Sequence, residues 1–116
     1  MTEKQYEDAL YALGCKNVTS NVQKKNGTTA FRMPDDKNMI TEHKTGYVRR
    51  TVLSNTGRVA SCYQLNPQYK APYKVISNDG KLYEWEHNKR MLIKNRAERL
   101  KRLVLFAIKY INKANG

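Results

Sequence analysis

Residues 45–65 read TGYVRRTVLSNTGRVASCYQL, two runs of alternating apolar and polar residues on either side of Ser54-Asn55-Thr56-Gly57. Period-two alternation belongs to a half-buried strand, and a short polar linker ending in glycine joins two such strands as a hairpin. Tyr47–Leu53 and Arg58–Leu65 are therefore expected to pair antiparallel. Along the first strand, Tyr47, Arg49, Thr51 and Leu53 fall on one face and Val48, Arg50 and Val52 on the other. Each face carries one arginine. One face must meet the core, so one of Arg49 and Arg50 is expected at a sheet edge or over a groove.

The same punctuation recurs on both sides. Downstream, Tyr73–Ser77 and Lys81–Glu86 flank Asn78-Asp79-Gly80, a second hairpin signal. Upstream, Val18 and Val22 lead through Lys24-Lys25 to Asn26-Gly27, a dipeptide with a strong hairpin preference. Thr28–Met33 is expected to return from that turn until Pro34-Asp35-Asp36 breaks it. Met39–His43 makes a further strand, turning at Lys44-Thr45-Gly46.

Helices close both ends. Thr2 with Gln5 three residues on forms a capping box, Tyr6, Ala9, Leu10 and Leu13 follow at helical spacing, and Gly14 supplies a stop. This predicts a helix over 2–13. Ile93, Ala97, Leu100, Val104, Ala107, Ile108 and Ile111 lie in one stripe, predicting a long helix from His87 or Asn88 to about Lys113. Leu105 and Phe106 fall where that helix should be polar. Its second half is thus expected to be buried on more than one side, in the chain's own core or in a homodimer contact. Trp85 is expected to anchor the core. The fold class is α+β: an N-terminal helix, an antiparallel sheet of about five to seven short strands in three hairpins, and a long C-terminal helix, in one domain over 1–116.

Charge says more about partners than about fold. The 116 residues hold 22 lysines and arginines against 10 acids, a formal net charge of +12, with 40% hydrophobic residues that argue against disorder. The start, MTEKQYED, has no secretory pattern, and LVLFAI at 103–108 is far shorter than the ~18 residues a membrane span needs. Cys15 and Cys62 have no metal-ligand spacing and are expected as free, buried thiols in a reducing cytoplasm. Compact basic chains rich in Asn and Lys are also the sort that bacteriophages encode to redirect host machinery.

No acidic residue occurs between Glu42 and Asp79. That stretch carries Lys44, Arg49, Arg50, Arg58, Lys70 and Lys74 among Tyr47, Tyr63, Tyr69 and Tyr73. Arginine forks bind phosphate bidentately and tyrosines offer stacking faces, whereas a merely solvated face mixes signs. A second basic run, HNKRMLIKNRAERLKR at 87–102, adds Lys94, Arg99, Lys101 and Arg102. There is no RNP1-like string, GXXG loop, zinc-finger spacing or helix-turn-helix pattern. The expectation is a non-enzymatic nucleic-acid-binding protein, for DNA or RNA, that contacts backbone phosphates with low sequence specificity and needs no cofactor or metal. The alternative is a basic protein docking on an acidic surface of another protein, which would require an apolar anchor.

A third reading comes from PDDKNMITEHK at 34–44. Pro34-Asp35 followed by Glu42-His43-Lys44 resembles the PD-(D/E)xK signature of metal-dependent nucleases, with a short Asp–Glu gap and His43 where that family has an apolar residue. The resemblance implies Asp35 and Glu42 as ligands of a divalent cation, Lys44 as the catalytic lysine and Glu7 as a further ligand. Glu84, Glu86 and His87 form a smaller cluster, expected to pair with Lys81, Lys89 and Arg90 rather than to hold a cation.

Overall fold

The computed structural model describes residues 1–115. In chain order the elements are α1 (Glu3–Ala12), β1 (Lys16–Asn17), α2 (Asn21–Asn26), β2 (Thr28–Arg32), β3 (Asn38–His43), β4 (Val48–Leu53), β5 (Val59–Gln64), β6 (Gln68–Ile76), β7 (Leu82–Arg90) and α3 (Arg96–Asn115). The class is α+β, with a helix at each end.

α1 begins as its capping box requires: the Gln5 N–H donates to Thr2 Oγ1, and the Thr2 N–H donates back to Gln5 Oε1. The Asn26-Gly27 hairpin does not form. Ser20 and Gln23 build a second capping box, and Asn21–Asn26 is helical up to Gly27, whose φ of 83° closes α2 in the left-handed conformation. A glycine at positive φ serves a helix C-cap as readily as a hairpin turn. The upstream Ser-x-x-Gln decides between them.

β1 to β5 form one antiparallel meander, each strand beside its neighbour in sequence. On one face Phe31, Ile40 and Val48 pack with Leu10 of α1 and Leu100, Leu103, Val104 and Ala107 of α3, all buried. α1 and α3 also pack on each other, while α2 sits beside β2. Burying side chains such as these stabilises by about 1.5–3 kcal/mol each, which fixes the register, since a one-residue slip would turn every apolar side chain outward.

α3 starts at Arg96, later than the 87–88 expected from its stripe. Residues 82–90 are held in strand pairing with β6 from Gln68↔Arg90 to Ile76↔Leu82. The Glu98 N–H donates to Asn95 Oδ1 at 3.2 Å in the first turn of α3. Ile93 therefore precedes the helix and Ile108 is exposed, while Leu103 joins the core. Phe106 packs inside the chain, stacked on Tyr110 with ring centroids 5.8 Å apart, and Leu105 stays half exposed.

β6 and β7 pair only with each other. Their strands are nine residues long, so this ribbon is roughly 30 Å in length. It accounts for a radius of gyration of 17.5 Å and extents of 58 × 35 × 34 Å, where a globule of this length would have a radius near 13 Å. Trp85 lies on the ribbon and is 50% exposed, so it does not anchor the core. The root is tied down by Asn66: its Oδ1 accepts from the Val48 N–H, and its Nδ2 donates to the carbonyls of Gly46 and Met91. Among the described residues, no helix is long and apolar enough to cross a membrane.

Candidate nucleic-acid interface

The two adjacent arginines of β4 part ways. Arg50 points to the helix side, where its Nε donates to Asn38 Oδ1 at 2.8 Å. Its guanidinium carbon lies 5.4, 5.5 and 5.2 Å from the rings of Tyr63, Phe106 and Tyr110. A fork enclosed by three rings is a packing element. Tyr63, directly across from Arg50 on β5, shares that face. Arg49 points the other way, exposed, 5.1 Å over the Tyr47 ring.

Arg49 belongs to the sheet face that carries neither α1 nor α3. Antiparallel partners share a face, and the registers put Lys16, Arg32, Met39, Thr41, His43, Arg49, Thr51, Cys62 and Gln64 on it. No carboxylate stands there. Lys16, Arg32 and Arg49 make no ion pair among the described residues. Arg32 Nε and Gln64 Oε1, both on this face, are enclosed and have no protein partner. A shallow cavity of about 280 Å³ runs between Thr28, Thr41, His43, Thr45, Tyr47 and Arg49. The Thr45 N–H donates to His43 Nδ1 at 3.1 Å, so the neutral ring carries its proton on Nε2 and offers a donor there.

The other residues expected at a phosphate surface do not join this face. Arg99 is buried, held by Glu42 and by the carbonyls of Ile93 and Lys94, and cannot meet a ligand. The stem of Lys44 crosses Gly27, and its cavity is shared with Lys24 and Arg96. Arg58 is exposed at the β4–β5 turn. Lys70 and Lys74 sit on the ribbon, 3.9 Å from Glu86 and 3.2 Å from Glu84. Those two glutamates therefore pair across the ribbon rather than with Lys81, Lys89 or Arg90. His87 lies in β7 against the Tyr73 ring, at 4.6 Å, and does not start α3.

Lys94, Lys101 and Arg102 line a separate groove of about 630 Å³ with Met91, Leu92, Ile93 and Leu105. The sequence missed Lys16 and Arg32 as surface residues because the preceding segment was read as a hairpin. Arg32 was nonetheless legible, at period two with Ala30 and Thr28.

The nuclease resemblance meets a different geometry. Glu42 is buried, with Oε1 accepting from Arg96 Nε at 3.1 Å and Oε2 from Arg99 Nε. Two guanidiniums occupy the carboxylate that would ligate a cation. Asp35 lies at the opposite end of β3, accepting from the Asn38 side chain and from the Tyr110 hydroxyl. Asn38 and Glu42 are four strand residues apart, roughly 13 Å. Glu7 is engaged by the Tyr11 hydroxyl on α1. Among the described residues no group of three His, Cys, Asp or Glu side chains is placed to hold a metal. Burial works to raise the Asp35 pKa, but hydrogen bonds from Lys37, Asn38 and Tyr110 outweigh it and hold the carboxyl below its ordinary value.

The cysteines also differ from expectation in one respect. Both are free, Cys15 buried with its thiol pKa pushed up by burial, but Cys62 is exposed on the uncovered face. Compared with protein-family models, curated proteins and solved structures, the chain finds no match. Function has to be read from residues and their geometry.

Proposed function

We propose that the protein binds nucleic acid through backbone phosphates, non-enzymatically and with little base selectivity, using the uncovered face of the sheet. The observation that carries this reading is the sorting of charge. All ten acids of the chain lie elsewhere: on α1, in the β2–β3 turn, in the Glu42 cluster, on the ribbon and on α3. A face that only met water would mix both signs.

On this face Arg49 presents a fork that can take two phosphate oxygens, preset by the Tyr47 ring beneath it. Arg32 and Lys16 extend the cationic line across β2 and β1. His43 Nε2 and the Thr41 hydroxyl are further donors between them. Affinity arises chiefly from counterion release, so log K should fall with log salt by about 0.9 per phosphate on duplex and about 0.7 on single strands. A cytoplasmic location belongs to the same reading, with both cysteines as free thiols.

The test is fluorescence anisotropy of labelled DNA and RNA oligonucleotides over a salt series. Arg49→Ala and Arg32→Ala should each weaken binding evenly across sequences and reduce the salt slope by about one. No binding at low salt, or slopes untouched by both variants, would contradict the proposal.

One observation favours a second reading. The groove along the start of α3 combines exposed Met91, Leu92 and Leu105 with Lys94, Lys101 and Arg102. With three cations against the single carboxylate of Glu98 on its lining, this is an apolar anchor with a mainly basic rim, as an acidic amphipathic segment of another protein would need. Such a partner would bind with fixed stoichiometry and be weakened by Leu105→Asp, whereas binding to a polymer scales with its length.

A further inference from the structure

The β6–β7 ribbon is sorted by face, and the sorting names a ligand. Cross-strand partners share a face, so Tyr69/Lys89, Ala71/His87, Tyr73/Trp85 and Val75/Tyr83 lie on one side. The other side holds Gln68/Arg90, Lys70/Asn88, Pro72/Glu86, Lys74/Glu84 and Ile76/Leu82. Every aromatic ring of the ribbon is on the first side, and both strand carboxylates are on the second, each beside a lysine. The rings touch one another: Tyr73 meets Trp85 edge-on at 5.8 Å, and Tyr83 stacks on Trp85 at 6.2 Å with planes 16° apart. Among the described residues no second layer packs over them. Tyr69, Tyr73, Tyr83 and Trp85 are each at least 40% exposed.

A two-stranded ribbon is marginal in water by itself, and rings left open on one need an occupant. We infer that this face is a stacking platform for single-stranded nucleic acid, an inference that rests on the phosphate-binding reading above and specifies its substrate class. Charge selects this occupant. The paired positions of this face carry Lys89 at the root and His87 in the middle and no carboxylate. At the tip Lys81 is accompanied by Asp79, whose carboxylate accepts from Ser77 Oγ and the Lys81 N–H. The platform between root and tip therefore suits a polyanion. A second copy of the chain would bring cation against cation. Unpaired bases offer flat faces to successive rings, whereas a duplex keeps its bases stacked inside and meets only the phosphate surface of the sheet.

Trp85 is the only tryptophan, so its emission reports this face alone. The experiment titrates the full chain with a single-stranded oligo-dT, a single-stranded oligo-U and a blunt DNA duplex, reading Trp85 fluorescence and oligonucleotide anisotropy together. Both single strands should quench Trp85, while the duplex binds without quenching. Tyr83→Leu should lose about tenfold in single-strand affinity and nothing in duplex affinity. Tyr69→Leu, near the root, is the second variant and covers the case in which Tyr83→Leu frays the tip; circular dichroism checks the strands of both. Arg49→Ala should weaken all three polymers.

If Arg49→Ala weakens binding while Trp85 stays silent and both leucine variants bind single strands like wild type, the platform is overturned and the phosphate reading stands. If none of the polymers binds, the underlying reading falls and the platform with it. If Trp85 emission depends on protein concentration alone, a second copy takes the face and the platform is overturned.

Discussion

The meander and the ribbon are both antiparallel, yet they treat their apolar residues in opposite ways. The meander turns Phe31, Ile40 and Val48 under two helices and leaves a polar, cationic face open. Among the described residues the ribbon has no second layer, and its rings stay about half exposed. Burial thus explains the residues of the body, while those of the ribbon have no stabilising role that burial can supply. What is left unexplained by packing is where function is to be sought.

Breaking the body should cost most. Glu42→Ala would leave Arg99 buried without its counter-charge, and a loss of about 3–5 kcal/mol is expected in denaturant unfolding. The ribbon residues beyond the root, where Arg90 Nη1 donates to the Asn66 carbonyl, should show no separate effect. At the junction, Gly46 has a φ of 117°, and an added Cβ would lie 2.9 Å from Ile93 N and Leu92 Cβ. Gly46→Ala should destabilise by roughly 1–3 kcal/mol. It should also speed amide exchange around Asn66, because the Gly46 carbonyl holds the root.

A smaller effect depends on pH. Asp35 has a lowered pKa in the fold, so the stability it contributes is present above the ordinary carboxylate value of about 3.9 and is lost as pH falls through the folded value. Asp35→Asn should therefore lower Tm at pH 7, with the gap to wild type closing below about pH 4. Least of all, Trp85→Ala should change body stability by no more than about 0.5 kcal/mol, as surface substitutions do. A large loss there would mean that the ribbon is part of the core after all, and the comparison would fail.

Much of this fold could be read from the chain. The Thr2–Gln5 capping box, the turns at 54–57 and 78–80 and the period-two runs between them all stand in the structure. The failures have physical causes. Asn26-Gly27 names a positive φ and not the element that needs it, and the competing Ser20–Gln23 box outweighed it. Helical spacing at Ile93 and Ala97 was continued backward into residues already committed to pairing with β6. The expected phosphate surface was legible as composition and not as a place. Long-range partners that sequence spacing does not show took Arg99 into the core with Glu42 and wrapped Arg50 in rings. For the ribbon, Trp85 looked like core because large aromatic residues bury well, and only the absence of a layer over it reveals otherwise.

The most direct test of the central claim is a residue-resolved map of contact, by amide chemical-shift perturbation on adding a single-stranded oligonucleotide at low salt. Shifts are expected at Arg32, Thr41, His43, Tyr47, Arg49 and Thr51, together with the ring-bearing residues of β6 and β7, with quiet amides along α1 and the buried stripe of α3. Shifts confined to Met91, Leu92, Lys101, Arg102 and Leu105, or none at all, would contradict that claim and move the binding surface to the α3 groove or to another class of partner.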